Sequence, residues 1–160
     1  MNAPRVLALS IVITSAGLSA QTGGMPWTTP TRAEVDAIYP DIDSLYIDLH
    51  RNPELAFQET RTAATLAARM KALGFEVTSG VGRTGVVAVL RNGPGPTVMM
   101  RTELDALPIE EKTGLPFASV VVAKNAGGQM VPVMHACGHD LHMAAWAGTA
   151  RLMAEHRDRW

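Results

Sequence analysis

The stretch FEVTSGVGRTGVVAVLRNGPGPTVMMR, residues 75–101, decides the fold. Phe75–Thr78, Val86–Leu90 and Thr97–Arg101 are short β-rich runs, and Gly80, Gly82, Gly85 and the turn Asn92–Pro96 separate them. Glycine and proline between such runs are the punctuation of successive strands. Two of the runs are apolar without alternation, which predicts strands covered on both faces. Helices are expected upstream. Thr31-Arg-Ala-Glu34 matches a capping box, in which hydroxyl and carboxylate satisfy backbone N–H groups left free by the first turn. Val35, Ile38, Ile42, Leu45 and Leu49 then recur at spacings of three and four, with a kink or restart expected at Pro40 and a stop at Asn52-Pro53. A second helix is predicted from about Gln58 to Leu73, with Ala63, Leu66, Ala67, Met70 and Leu73 as its buried stripe and Gly74 as its stop. Downstream, Leu115–Ala123 and Gln129–Met134 flank Lys124–Gly128 as a hairpin. A third helix is expected from about Leu141 to His156, its N-terminus beside His139 and Asp140. Helices and strands in this order predict an α/β layered domain.

The 160 residues are 47% apolar and 18% charged, an ordinary globular composition that excludes disordered and fibrous classes. Lys and Arg total 14 against 15 Asp and Glu, so there is no global field to attract a polyanion. Nucleic acid is not an expected partner, and the few aromatics do not interleave with basic residues. Arg5, the uncharged run Val6–Leu18 and the small residues Ser19 and Ala20 have the order of a secretory signal peptide. The expected organisation is a signal at 1–20, a linker at 21–30 and a folded domain at 31–160. The mature part is then exported, periplasmic or secreted, and free of the membrane once the signal is cut. The alternative is an uncleaved N-terminal anchor, because Leu18 is bulky for its place before a cut after Ala20.

Met134–Met143, MHACGHDLHM, carries the densest chemistry. His135, Cys137, His139 and His142 bring three of the five histidines and the only cysteine into eight residues. Thiolate and neutral imidazole are preferred ligands of zinc and similar metals. In an extended stretch Cys137 and His139 would point to one side, with Gly138 between them free to take an unusual conformation. A buried thiol is the usual fate of a lone cysteine, and the neighbouring histidines tip Cys137 toward ligation. A Cys/His nucleophilic pair is the competing arrangement. His135 and His142 read equally as hydrogen-bonded structural imidazoles or as direct participants. Upstream, Glu103 and Asp105 follow the Thr97–Arg101 strand, where open α/β sheets build their sites. Either would ligate a metal or orient a ligating histidine. Glu110 and Glu111 read as solvated.

Four stretches together resemble the M20 metallopeptidase superfamily, in particular its amidohydrolase branch: Leu49–Leu55 (LHRNPEL), Met100–Pro108 (MRTELDALP), Thr113–Ser119 (TGLPFAS) and Met134–Asp140 (MHACGHD). The branch includes indole-acetyl-amino-acid hydrolases, hippurate hydrolases and N-acyl-L-amino acid amidohydrolases. The resemblance implies the N-terminal part of an α/β, zinc exopeptidase-like catalytic domain that holds two divalent metals and hydrolyses amide bonds in N-acyl amino acids or small peptides. Cys137 and His139 would be metal ligands and Asp105 the catalytic carboxylate that orients a ligand. Glu103, His135, Asp140 and His142 would support the metals or the substrate. Zinc suits the thiolate best; manganese, cobalt and nickel are compatible. The family's general base, the first of a Glu-Glu pair after the His/Cys segment, its remaining ligands and its lid domain have no counterpart before Trp160. A full-length form would be able to dimerise through that lid. The expectation is therefore a fragment with little activity of its own, and the competing class is a non-catalytic metal-binding or interaction module.

Overall fold

The computed structural model describes residues 28–160. The expected signal peptide and most of the linker lie outside the described residues.

Helix α1 spans Arg32–Arg51. Its capping box forms: the Thr31 hydroxyl accepts from the Glu34 N–H, and the Glu34 carboxylate accepts from the Thr31 N–H at 2.7 Å. Glu34 also accepts from Arg159 at 2.7 Å, and these bonds, that of Arg159 first, hold its carboxyl down at about 2. The helix does not restart at Pro40. A single missing N–H is tolerated because Ile38, Leu45 and Leu49, on either side of the proline, are all buried in one apolar face. Asn52 caps the C-terminus, as the Asn-Pro signal predicts.

Helix α2 spans Thr60–Ala72 and buries Ala63, Leu66, Ala67 and Met70 of the predicted stripe, while Leu73 is its partly buried C-cap and Gly74 follows at φ +84°. Strands β1 (Glu76–Val81) and β2 (Gly85–Val89) form an antiparallel hairpin. Val77 and Ala88 pack inward while Val87 and Val89 are exposed. Coverage on both faces is thus corrected: the hairpin is one layer over α2, and its other face is open. Strands β3 (Val122–Lys124) and β4 (Met130–Pro132) form the second predicted hairpin, with shorter arms. Helix α3, His139–Glu155, closes the order.

The expected strand Thr97–Arg101 is not formed. A strand exists only through a neighbour's hydrogen bonds, and among the described residues nothing pairs with it; Val98 and Met99 are 77% and 85% exposed. The chain becomes anchored a few residues later. The Ala106 N–H donates to the Glu54 carbonyl at 2.8 Å, and Leu107 and Met134 exchange N–H···O bonds of 2.9 and 3.0 Å. These bonds bring the segment around Asp105 alongside the one that leads into His135.

The main core joins the three helices: Leu45 and Leu49 of α1, Leu66 and Met70 of α2, and Met143, Ala147 and Ala150 of α3. Helices α1 and α3 approach closely at Gly148, where a Cβ would lie 3.5 Å from Ile42 and 3.6 Å from Ile38. Leu55, Ala106 and Val133 form a smaller core beneath the β3–β4 hairpin. The class is α/β, with helices and hairpins in separate layers. No described helix is long and apolar enough to cross a membrane.

Candidate metal centre

The turn before α3 sets the geometry. The Met134–Leu107 bridge ends the extended chain, Ala136 and Cys137 form a turn, and Gly138 takes a left-handed conformation at φ +77° as the N-cap of α3. The extended Cys137–His139 arrangement is therefore corrected. Cys137 stands in a turn and His139 is the first residue of a helix, with the glycine supplying the reversal that a side chain would resist.

The His139 Nδ1 lies 2.8 Å from the Asp105 carbonyl oxygen and 3.3 Å from its Oδ1. Nδ1 donates to the carbonyl, so Nε2 is the ring nitrogen left as an acceptor. Cys137 is exposed, which excludes the buried core thiol. Glu103 pairs with Arg101, and its other oxygen is 4.0 Å from His142 Nδ1; His142 itself is mostly exposed. The two sequence clusters thus meet through Asp105–His139 and Glu103–His142.

His135 is 4% exposed, and among the described residues neither ring nitrogen has a hydrogen-bond partner. Burial and the charges of His50 and His139 lower its pKa against the opposing pull of Asp140 and Asp105. A buried imidazole with both nitrogens free is the kind of polar group that an ion, a water or a ligand satisfies.

Sequence reasoning missed the third side of the site. His50 at the end of α1 is 5% exposed; its Nδ1 is 2.6 Å from Asp140 Oδ2 and its Nε2 is 3.0 Å from Glu111 Oε1. Glu111 is not solvated. Its side chain is fully buried at 0% exposure and accepts also from the Ser119 N–H at 2.6 Å and the Thr113 hydroxyl. Glu110 is exposed as expected. The clues in the sequence were His50 beside Leu49, on the edge of a buried helix face, and the stretches Leu49–Leu55 and Thr113–Ser119, which hold His50 and the Thr113 and Ser119 that bond Glu111.

Burial opposes a charge on His50, but the hydrogen bonds and charges of Glu111 and Asp140 outweigh it and raise its pKa above the ordinary 6.5. Burial likewise resists ionisation of Glu111, and bonds from Thr113, His50 and Ser119 outweigh it to lower its pKa below the ordinary 4.5. The stabilisation from His50 is complete below pH 6.5 and lost as pH rises through its folded value; that from Glu111 is complete above pH 4.5 and lost as pH falls through its folded value. His135, lowered, adds to the acid-side loss. The melting temperature is expected to fall on the alkaline side of pH 6.5, and His50→Gln removes that fall. A melting series from pH 4 to 9 (roughly the span of these pKa values) on both proteins checks it.

Donor chemistry bears on whether this site suits a metal. An exposed thiol, an imidazole whose Nδ1 is held by a carbonyl, and a nearby carboxylate are the right types for zinc-like ions. Among the described residues no three such groups converge into a cage. The residues present therefore fit a metal as part of a donor set.

The profile of Peptidase family M20/M25/M40 matches residues 99–160. The N-acetyl-L-cysteine deacetylase of Bacillus subtilis is 43% identical over 111 residues, 69% of this chain and 24% of that protein. The N-acyl-L-amino acid amidohydrolase of Geobacillus stearothermophilus is 39% identical over 125 residues, 78% of this chain and 31% of that protein. The crystal structure of Bacillus subtilis YXEP, described as a dinuclear metal binding peptidase from the M20 family, superposes with a TM-score of 0.65 at 37% identity, over 76% of this chain and 32% of that one. The fold is therefore part of the α/β domain of a metallopeptidase class. The chain belongs to the M20/M25/M40 peptidase family. It spans 24–31% of the length of the curated relatives it matches.

Proposed function

We propose that these residues contribute part of the active site of a metal-dependent hydrolase of amide bonds in N-acyl amino acids or small peptides. The observation that carries the proposal is His139, fixed by the Asp105 carbonyl at the first turn of α3 with the exposed Cys137 two residues before it. Cys137 and His139 are the metal donors, and zinc is the ion that the thiolate favours, with manganese, cobalt or nickel as the alternatives. Divalent ions held there would polarise the amide carbonyl and lower the pKa of water. Asp105 orients His139 through its backbone and side chain. His135 and Asp140 are proposed to support the donors, and Glu103 and His142 to meet the metals or the substrate. The names of the relatives, an N-acyl-L-amino acid amidohydrolase and an N-acetyl-L-cysteine deacetylase, support the substrate class. Residues 1–20 are proposed to direct export.

The competing reading is a non-catalytic metal-binding module. It draws on the absence of a three-donor cage among the described residues and on the exposed Val98 and Met99. A chimera separates the two. Residues 30–160 are placed in the Geobacillus amidohydrolase in exchange for its matching segment, and hydrolysis of N-acetyl amino acids is assayed with added zinc or manganese. The proposal expects turnover in the chimera that Cys137→Ala and His139→Ala abolish, and little turnover by the 160 residues alone. An inactive but folded chimera favours the module; brisk turnover by the 160 residues alone contradicts the division of the site.

A further inference from the structure

Behind the donor turn lies a buried array whose members come from three separate parts of the chain. His50 is the second-last residue of α1, Asp140 the second residue of α3, and Glu111 belongs to the loop between Leu107 and β3. Their side chains are 6%, 3% and 0% exposed. Phe117 meets the His50 ring edge-on at 5.3 Å and Tyr46 covers it at 5.7 Å, so bulk water is kept from it. An ionised carboxylate only accepts hydrogen bonds, so an imidazole between two of them donates from both nitrogens. Such a ring has one orientation that satisfies both partners, unlike a flexible lysine or a singly bonded histidine.

The partners show what the array holds. Asp140 directly follows His139, and its carboxylate sits in the first turn of α3, where the helix dipole favours negative charge. Glu111 accepts from Ser119 and Thr113 and so closes the 111–119 loop beneath the site. Gly138, the α3 N-cap, contributes no side-chain hydrogen bond. The first turn is therefore fixed by Asp140 through His50, and His139 is fixed by Asp105.

We infer that His50 is a positioning residue for the donor turn: bonded to Asp140 and Glu111, it clamps the first turn of α3 between helix α1 and the 111–119 loop and so sets where His139 presents its free nitrogen. The inference rests on the proposed role of His139 as a metal donor. Removal of groups that orient a ligand costs about 10–100-fold in metal affinity.

The test uses the whole 160-residue chain, cobalt(II) as the probe, and three variants, His50→Leu, His50→Gln and Cys137→Ser. Cobalt affinity is read from the thiolate-to-cobalt absorption band, the fold from circular dichroism, and local order from amide exchange at residues 142–145, the first α3 amides hydrogen-bonded within the helix. His50→Leu is expected to keep its helical signal, lose about 10–100-fold in cobalt affinity and exchange faster than the parent at 142–145 while α2 is unchanged. His50→Gln, which keeps one donor, is expected to lie between it and the parent. If His50→Leu does not fold, His50→Gln carries the same comparison. Unchanged affinity and exchange in a folded His50 variant overturns the inference. Where the parent gives no band that Cys137→Ser removes, the metal reading fails, and exchange alone then decides: faster exchange confined to 142–145 supports the clamp, whereas none, or a uniform rise, overturns it.

Discussion

Replacing Leu49 by alanine is expected to lower the unfolding free energy by about 3–4 kcal/mol, in the middle of the range for leucine truncations in packed cores. Leu49 is 0% exposed and lies in the cluster where α1, α2 and α3 meet, against residues drawn from all three helices. The loss has two parts, the transfer of the removed methyl groups and the cavity left among neighbours that cannot all move in. Little collapse is open to this site, because Gly148 already brings α1 and α3 together near Ile38 and Ile42. Leu49 also precedes His50, so the same truncation loosens the residue that reaches Asp140. Urea denaturation of the 160-residue chain checks the prediction, with Leu141→Ala as the control. Leu141 is 59% exposed, and its truncation should cost less than about 0.5 kcal/mol.

The elements with local causes were legible in the sequence. Thr31 and Glu34 fix the start of α1 because both halves of a capping box lie within four residues. The stripe of α2 repeats at the helical period, and Asn125–Gly128 closes β3 onto β4 with the Asn125 side chain accepting from the Gln129 N–H at 3.0 Å. What depends on distant residues was not legible. Thr97–Arg101 has strand composition, yet a strand requires a partner that its own residues do not specify. Pro40 signals a kink or a restart, and apolar contacts on both sides of it carry the helix past it without a restart. Glu111 sits in a Glu-Glu-Lys run that looks solvated, and its burial follows from His50, 61 positions away, and from Ser119. At the site, residue types were readable and backbone shape was not. Cys137 and His139 stand in a turn and a helix rather than in an extended stretch, and Asp105 engages His139 through its carbonyl more closely than through its carboxylate.

That last detail shapes the second large effect. Cys137→Ala and His139→Ala are each expected to weaken zinc binding by at least about 100-fold, since each removes a donor where loss of an orienting group alone costs about 10–100-fold. Asp105→Ala should cost about tenfold or less, because the carbonyl 2.8 Å from His139 Nδ1 survives the substitution. His142→Ala, at a largely exposed ring 4.0 Å from Glu103, should change affinity least. Competition titrations against a zinc chelator give the four values directly. An Asp105→Ala loss equal to that of His139→Ala would mean that the Asp105 carboxylate is itself a donor.

Cys137 and His139 are proposed to bind one metal together. X-ray absorption at the zinc edge of the zinc-loaded chain tests it most directly, because sulfur and nitrogen shells differ in distance, about 2.3 Å against about 2.0 Å. One sulfur per zinc together with imidazole nitrogen is expected, with loss of the sulfur shell in Cys137→Ala. A shell of nitrogen and oxygen alone, unchanged by Cys137→Ala, would contradict it.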